Sequence, residues 1–468
     1  MKIRNIFHFF AYALIIFSLS CKKLVQVSPP QTEIVTADVF NNNTTAISAQ
    51  LAVYAQISGY LCNIEQLTGL SSDELSTTST VQLYEDLYAN SLIASSDASL
   101  LIWSNTYNYI YQENAILTGV QTSGDNISSS IRQQLLGEAH FMRGFFYFYL
   151  VNLYGGVPLI TTTNYQTNTT AARSTIAQVY RQIINDLTIA QSFLSPNYLD
   201  ATDTLVTTDR VRPTSWGASA LLARAYLYNN IYDSAEEQAT NVINNTSQFT
   251  LVPKLSGVFL KNSSEAVWQI LPASTVLFTP EGNLFVLTGS PGTSGTQSSL
   301  ISSQLLSAFE PGDARMTNWV GIYTKGSSSW HFPAKYKATT TSTSLTEYSM
   351  ILRLAEQYLI RAEARALQNN ISGAISDLNI IRNRAGLASL SNNLSQSQVL
   401  QAVEQERKVE MFVEGQRWLD LKRTRSVDSV MGIITPQKGG VWNTDQQLYP
   451  ITASDVLSDI NLIQNPGY

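Results

Sequence analysis

One aromatic-rich stretch limits the folds that this sequence can adopt. Residues 137–150 read GEAHFMRGFFYFYL, and the bulky positions around them, from Leu136 to Tyr154, recur every three to four residues. A helix that is apolar on most sides is usually buried. His140 and Arg143 interrupt the apolar run, and Gly155–Gly156–Val157–Pro158 gives the signal that ends a helix. The stretch therefore predicts a core helix rather than a membrane span or a sugar-stacking surface.

Helical periodicity recurs along much of the chain. It predicts helices over residues 46–58, 103–117, 176–193, 216–229, 234–243, 347–368, 371–384 and 399–422. Residues 61–99 lack the pattern and are predicted to form a loop. Residues 250–346 are rich in Gly, Ser and Thr, which predicts a loop-rich insertion with short strands, for instance over 266–271.

Two of the predicted helical pairs resemble each other. Residues 221–243 and 358–381 both place small residues in a first helix, then a short polar turn, then a second helix rich in small residues. Small residues let neighbouring helices approach closely, as in tetratricopeptide repeats. The fold class predicted is mainly α, with tetratricopeptide-like pairs forming one body, an αα-superhelix with long insertions.

The first residues are predicted to be a secretory signal peptide. Lys2 and Arg4 precede an apolar run over 6–19, which is too short for a comfortable membrane span and is typical of a secretory signal. Ser18–Leu19–Ser20 before Cys21 is similar to a lipobox, so residues 1–20 are predicted to be removed and Cys21 to be acylated. The alternative is an ordinary signal peptide with an incidental cysteine. Residues 21–36 then form a tether, and 37–468 the folded body.

Composition narrows the classes of partner. The net charge of −6 provides no basic surface, so nucleic acid is not an expected partner. Charged residues make up 14% of the chain, against about 25% in ordinary soluble domains. Neutral polar residues replace them, which suits a protein that works outside the cytoplasm.

Residue patterns typical of catalysis are weak. The chain has no Gly-x-Ser-x-Gly, HExxH or phosphate-loop motif, and beyond the signal only His140 and His331 remain as histidines. We therefore expect no metal site, no cofactor and no catalytic residue. One dense set of acids and arginines is predicted to form an ion-pair network, because nearby arginines would keep its carboxylates ionised. Its members are Glu406, Arg407, Glu410, Glu414, Arg417, Asp420 and Arg423.

Four segments together resemble the SusD/RagB family of outer-membrane lipoproteins. They are GEAHFMRGFFYFYLVNLYGGVPLI, RLAEQYLIRAEARALQNN with NIIRNRAGL, QERKVEMFVEGQRWLDLKR, and LYPITASDV with INLIQNPGY. Their order and spacing match the family over almost the whole predicted mature chain. The resemblance implies a helical body, a lipid anchor in the outer membrane, and capture of a glycan for a SusC-like TonB-dependent transporter.

A sugar-binding surface needs aromatic rings for stacking and polar groups for the hydroxyls. Helical aromatics are expected to be used in the core, so the candidates are taken from the predicted loops. Trp319, Tyr323 and Trp330 are the preferred ligand-binding residues, and Tyr84, Tyr88 and Asp73 form a second set. The alternatives that stay open are peptide binding on the same fold, as in RagB-like proteins, a secreted glycoside hydrolase, and a scaffold without ligand.

Overall fold

The computed structural model describes residues 36–96, 100–273 and 275–468, and helices dominate this part of the chain. The α-helices are α1 (Thr36–Val39), α2 (Asn43–Ser71), α3 (Gln82–Tyr88), α4 (Asn105–Thr122), α5 (Ser129–Tyr154), α6 (Tyr165–Asn168), α7 (Ile176–Phe193), α8 (Ser215–Tyr228), α9 (Tyr232–Asn244), α10 (Pro280–Phe285), α11 (Ser303–Leu306), α12 (Ala314–Trp319), α13 (Leu354–Leu367), α14 (Ile371–Arg384), α15 (Gln396–Glu410), α16 (Arg417–Arg423), α17 (Val427–Gln437) and α18 (Ala453–Ser458). The predicted signal, Cys21 and the tether lie outside the described residues, except for Thr36. Within the described ranges, no helix is both long and apolar enough to cross a bilayer.

Six short strands form three separate antiparallel pairs. The strands are β1 (Leu75–Thr77), β2 (Ala266–Ile270), β3 (Ser299–Ile301), β4 (Val320–Lys325), β5 (Ser328–Pro333) and β6 (Ser349–Arg353). β1 pairs with β3, β2 with β6, and β4 with β5 in a hairpin. The strand predicted over 266–271 is confirmed as β2. The helix predicted from residue 347 is wrong at its start, because β6 occupies its first residues and α13 begins only at Leu354.

Local capping explains why several helices begin where the sequence pattern predicts. Thr175 accepts a hydrogen bond from the Gln178 backbone N–H while the Gln178 side chain returns to Thr175, a capping box that fixes the start of α7. The Asn370 side chain likewise accepts from the Gly373 N–H at the start of α14. Gly155 ends α5 with a φ of 75°, a conformation that glycine adopts without strain.

The prediction of a loop from residue 61 onward is wrong, because α2 continues to Ser71. The second half of this helix is buried on most sides, so it carries no amphipathic stripe. Several of its polar residues have internal partners instead. The Gln66 side chain donates to the Gly295 carbonyl at 2.7 Å, and Thr68 donates to the Ile64 carbonyl. A helix that is buried on most sides and carries polar residues in the core gives no amphipathic pattern in the sequence.

The single helix predicted over 399–422 is also wrong, because a turn over 411–416 divides it into α15 and α16. Val413 and Gly415 have φ values of 52° and 71°, which no continuous helix allows. The turn places the Glu414 carboxylate between Lys335 and Arg353, at 2.5 Å and 2.8 Å. The helical spacing of VEMFVEGQRW concealed this break, and only Gly415 signals it.

The longer helices pack in succession along the chain. α4 packs on α5, α5 on α7, α7 on α8, α8 on α9, α9 on α13, and α13 on both α14 and α15. The α8–α9 and α13–α14 hairpins are the two pairs recognised in the sequence, and both are confirmed. Small residues such as Ala362 and Ala374 lie fully buried in the core shared by α13, α14 and α15. The predicted mainly helical fold is therefore confirmed.

The aromatic stretch of α5 lies in the middle of the main core, as predicted. Phe141 and Phe145 contact the ring of Trp268 edge to face, with ring centroids 5.0 Å and 5.5 Å apart. Phe146 stacks on Tyr109 at 5.3 Å. All these side chains are buried, so the rings of α5 contribute packing energy and present no surface to a ligand.

Candidate functional site

The β4–β5 hairpin holds two of the three aromatic residues that the sequence favoured most. Tyr323 and Trp330 lie directly opposite each other in the ladder, and their ring centroids are 6.2 Å apart with planes 28° from parallel. Both side chains are half-buried. Because cross-strand neighbours share one face of a hairpin, the two rings form a continuous aromatic surface.

On the same face of the hairpin, Gly321 leaves room for the aromatic ring of Phe332. Gly321 lies opposite Phe332, and a Cβ atom on Gly321 would come within 2.2 Å of the Phe332 ring. The Phe332 ring therefore lies over Gly321 and is almost fully buried. Phe332 packs with Leu287 and Ala334, and the half-buried Tyr323 and Trp330 rest against that small cluster. The aromatic pair is thus anchored on its inner side and partly exposed on its outer side.

Residues 287–301 connect the hairpin with the second set of candidates. Leu300, in β3, packs against the hairpin cluster and pairs in register with Ser76. The Thr78 hydroxyl donates to the Gly292 carbonyl at 2.7 Å, and the Thr80 N–H donates to the Thr293 carbonyl at 2.9 Å. This segment is therefore held between β1 on one side and the hairpin on the other.

Tyr84 contacts the same segment from α3. A Cβ on Gly295 would come within 2.2 Å of the Tyr84 hydroxyl oxygen, so the ring lies directly against this glycine. The Tyr84 side chain is partly exposed. The structure therefore brings three predicted residues, Tyr84, Tyr323 and Trp330, onto one support formed by residues 287–301.

Tyr88, at the other end of α3, has a different neighbour. The Lys438 ammonium lies 5.1 Å from the centroid of its ring. Lys438 also donates to the Leu70 carbonyl at 2.8 Å, and burial lowers its pKa to about 7. Tyr88 is half-buried and stays a candidate at the edge of the site rather than part of its centre.

The expectation that Trp319 binds ligand is wrong. Trp319 ends α12 and is completely buried, and its indole N–H donates to the Leu255 carbonyl at 3.0 Å. Phe259 contacts its ring edge to face, and the Lys335 ammonium lies 5.0 Å from the ring centroid. Neighbouring glycines and serines suggested an exposed loop, but the side chain fills the core beneath the hairpin.

The expectation for Asp73 is also wrong, because its carboxylate is already occupied. Asp73 is buried, and it accepts hydrogen bonds from Arg417 Nε and Lys408 Nζ, both at 2.8 Å. Burial opposes its ionisation, but the Arg417 guanidinium and the Lys408 ammonium outweigh burial and hold the Asp73 pKa well below its ordinary value. Asp73 therefore attaches the start of the β1 region to α15 and α16.

The predicted ion-pair network of α15 and α16 is confirmed. Glu410 is fully buried and contacts three arginines, Arg315, Arg353 and Arg384. Although burial opposes ionisation, these arginines hold the Glu410 pKa well below its usual range. A carboxylate held ionised in this way has no proton to donate as a general acid. The network stabilises the junction of the helical pairs.

Other buried acids beneath the candidate surface behave differently. Burial raises the pKa of Glu74 to about 8 and that of Glu281 to about 7. Each has one carboxylate oxygen without a hydrogen-bond partner. Sequence reasoning singled out neither residue for this property, because the charge environment of a buried carboxylate depends on residues distant in the chain. Among the described residues, no group of histidine, cysteine or acidic side chains is arranged to hold a metal ion.

Sequence reasoning also missed the segment that joins the aromatic residues. The run GSPGTSG at 289–295 reads as a flexible loop, yet it supplies the backbone on which Tyr84 rests. Its glycines were the available signal, because close approach of a ring to the backbone requires the absence of a Cβ.

The succession of packed helical pairs, with an aromatic hairpin to one side, places the chain among mainly helical repeat proteins. Comparison with known proteins defines the family. The SusD family profile matches residues 310–468, and a second profile, described as starch-binding associating with outer membrane, matches residues 28–227. Together they cover well over half of the chain. The chain belongs to the SusD family.

Individual proteins agree with this assignment. The SusD-like protein P2 of Formosa agariphila is 27% identical over 418 residues, which span 78% of this chain and 80% of that protein. A SusD superfamily protein from Bacteroides vulgatus superposes with a TM-score of 0.79 at 19% identity, over 92% of this chain and 100% of that one. A laminarin-binding SusD-like protein superposes with a TM-score of 0.75 at 22% identity, with the same coverage. These identities are low, so the two solved structures support the fold alone.

Proposed function

We propose that this protein is a lipid-anchored lipoprotein on the surface of the outer membrane, where it binds an extracellular glycan and delivers it to a SusC-like TonB-dependent transporter. The observation that carries the proposal is the partly exposed pair of Tyr323 and Trp330, held rigidly on the hairpin. Tyr84 rests on Gly295 of the same supporting segment, 287–301, and is a further candidate contact for the glycan.

The chemistry of this surface fits a sugar. The apolar C–H face of a pyranose packs on aromatic rings, and two neighbouring rings can hold consecutive sugar units. Because the anchored hairpin already holds the rings in place, glycan binding has a smaller cost in conformational entropy. Segment 289–295 is rich in Gly, Ser and Thr, so hydroxyls and backbone groups are available for sugar hydroxyls. The laminarin-binding relative supports the same class of ligand.

Location and partner rest on the family and on the first residues of the chain. One family description names association with the outer membrane. In our proposal residues 1–20 are the signal, acylated Cys21 is the anchor, and residues 21–36 form the tether to the helical body. Lipidation with more than one acyl chain would hold the protein stably on the membrane. The transporter partner follows from the general role of such proteins in nutrient uptake.

A glycan array tests this function. The protein without residues 1–21 would be labelled and screened against neutral and acidic oligosaccharides, with a set of short peptides printed beside them. Binding to a class of glycan that is lost in Trp330→Ala supports the proposal. Binding to peptides alone would favour the RagB-like alternative, and release of reducing sugar from a polysaccharide would favour a hydrolase.

A further inference from the structure

A second concave site lies between the helical pairs, away from the aromatic surface. The cavity has a volume of about 590 Å³ and is bounded by the α8–α9 turn, the end of α13, one side of α15, and α16 with the residues that follow it. None of its lining residues belongs to α3, to the hairpin or to segment 287–301. It is therefore structurally separate from the proposed glycan site.

Charged residues of the cavity leave an excess of positive charge. Four arginines and three acids line it, namely Arg407, Arg417, Arg423, Arg425, Glu363, Glu404 and Asp420. The acids are all engaged by arginines: Arg423 forms a bidentate pair with Glu363, and Asp420 bonds to both Arg407 and Arg423. Glu404 pairs with Arg417. No carboxylate of the cavity is left to neutralise Arg425.

One of the arginines retains hydrogen-bonding capacity that is open to the cavity. Arg407 is buried, and its Nη1 has neither a partner nor accessible surface, while its other nitrogens bond to Asp420 and Gln416. Arg425 is exposed, and its side chain forms no hydrogen bond or ion pair with any residue in the described ranges. The Arg425 guanidinium is therefore free to form a charge-assisted contact with a ligand carboxylate.

Aliphatic side chains line the remainder of the cavity. Leu367 and Leu400 are half-buried, and the buried Leu227 and Val403 lie beside them. Tyr232 is the one aromatic residue among the lining side chains. An aliphatic wall next to an unpaired guanidinium is complementary to a peptide with acidic and aliphatic side chains, whereas a single tyrosine offers no second ring for consecutive sugar units.

We propose that this cavity docks an acidic segment of a partner protein. A carboxylate of the segment binds Arg425, and a neighbouring aliphatic side chain packs on Leu367 and Leu400. The docking is independent of glycan capture, and it joins the helical-repeat side of the molecule to a second protein.

Fluorescence polarisation with the full-length protein in mild detergent tests this site. The probe is a labelled dodecapeptide of Glu, Leu and Ser, and the control peptide has Lys in place of each Glu. An oligogalacturonate serves as an acidic glycan. We expect the Glu peptide to bind, the Lys peptide not to bind, and the affinity to fall as salt rises from about 0.1 M to about 0.5 M.

The decisive variants are Arg425→Glu and Arg181→Glu. Both arginines are exposed and neither side chain has a partner among the described residues, but Arg181 lies on α7 outside the cavity. We expect Arg425→Glu to weaken binding of the Glu peptide by about tenfold or more, since a favourable charge contact becomes repulsive. Arg181→Glu should change the affinity by less than about twofold, because exposed distant charges are screened.

Four results would overturn the proposal. They are an absence of binding by the Glu peptide, equal binding by the Lys peptide, equal weakening by the two variants, and tighter binding of oligogalacturonate that depends on Arg425. The last result would assign the cavity to an acidic glycan. Trp330→Ala should leave peptide binding unchanged, which separates failure of this proposal from failure of the glycan proposal.

Discussion

Replacing Glu410 with glutamine removes the charge at the centre of the buried ion-pair network while keeping the volume of the side chain. Glu410 is fully buried, so its loss cannot be compensated by water without opening the core. One carboxylate oxygen contacts Arg315 at 3.1 Å, and the other contacts Arg353 at 2.7 Å and also Arg384. Glutamine would present an amide N–H₂ to guanidinium donors, which adds repulsion to the lost attraction.

The remaining partners of the three arginines set the size of the effect. Arg315 would retain Asp313 and Glu406, and Arg353 would retain Glu414 and Glu265. Arg384 would keep only Glu265, and its Nε already has no partner. Breaking a buried pair so that one charge is left under-compensated costs about 3–5 kcal/mol. We expect the free energy of unfolding to fall by this amount, mostly because of Arg384.

Denaturant unfolding, followed by tryptophan fluorescence and by circular dichroism, would measure the loss. The matched control is Glu404→Gln, in the same helix α15, where the side chain is 42% exposed and pairs with Arg417 at 3.1 Å. Such an exposed pair contributes about 0.2–1 kcal/mol. The double variant Glu410→Gln/Arg384→Gln should be more stable than Glu410→Gln alone, because it lacks the under-compensated charge of Arg384. If Glu410→Gln lowers the free energy of unfolding no more than Glu404→Gln does, the buried network does not stabilise the fold.

Three further predictions follow from the site and the first residues of the chain. Trp330→Ala should weaken binding of the cognate glycan by about 1–3 kcal/mol in calorimetry. Trp319→Leu should instead lower stability without removing a ligand contact. An unchanged glycan affinity in Trp330→Ala would reject the aromatic surface as the binding site. Cys21→Ser should release the protein from membranes, and its continued presence in the membrane fraction would contradict lipid anchoring. Glu74 has a pKa of about 8 in the folded protein against an ordinary 4.5, so the folded state holds a proton that the unfolded chain lacks between these values and stability falls as pH rises through this window. Glu74→Gln should therefore flatten the change in unfolding free energy between about pH 5 and about pH 8, and an unaltered slope would show that Glu74 is not the group responsible.

Helices with one apolar face and a local cap are those whose ends the sequence predicts best. α7 and α14 begin and end where their periodicity and their caps indicate. The second half of α2 was not predicted because polar residues such as Gln66 and Thr68 lie in its buried faces, where they bond to internal carbonyls. The sequence did not predict the break after α15, because this break depends on contacts of Glu414 with Lys335 and Arg353, which are distant in sequence.

The candidate site was predictable only in part, for a related reason. Residue type and lack of helical period selected Tyr323 and Trp330, which the structure leaves partly exposed, but the same reasoning selected the buried Trp319. Whether a tryptophan near a loop faces the core depends on neighbours such as Phe259, which the local sequence does not reveal. The support of the site by segment 287–301 required the tertiary structure.

Residues 449–465 form hydrogen bonds to the end of α5, so this helix is completed only late in folding. The Tyr449 N–H donates to the Leu153 carbonyl, and the Asn465 amide bridges the carbonyls of Tyr154 and Tyr449. The Ser71 hydroxyl also bonds to Tyr449, so α2 depends on the same late segment. In the export that we propose, which starts from the first residue, the end of α5 stays open until more than four hundred residues have emerged. Contacts between such distant residues slow folding, and the interval before closure is when the exposed rings would need protection from aggregation.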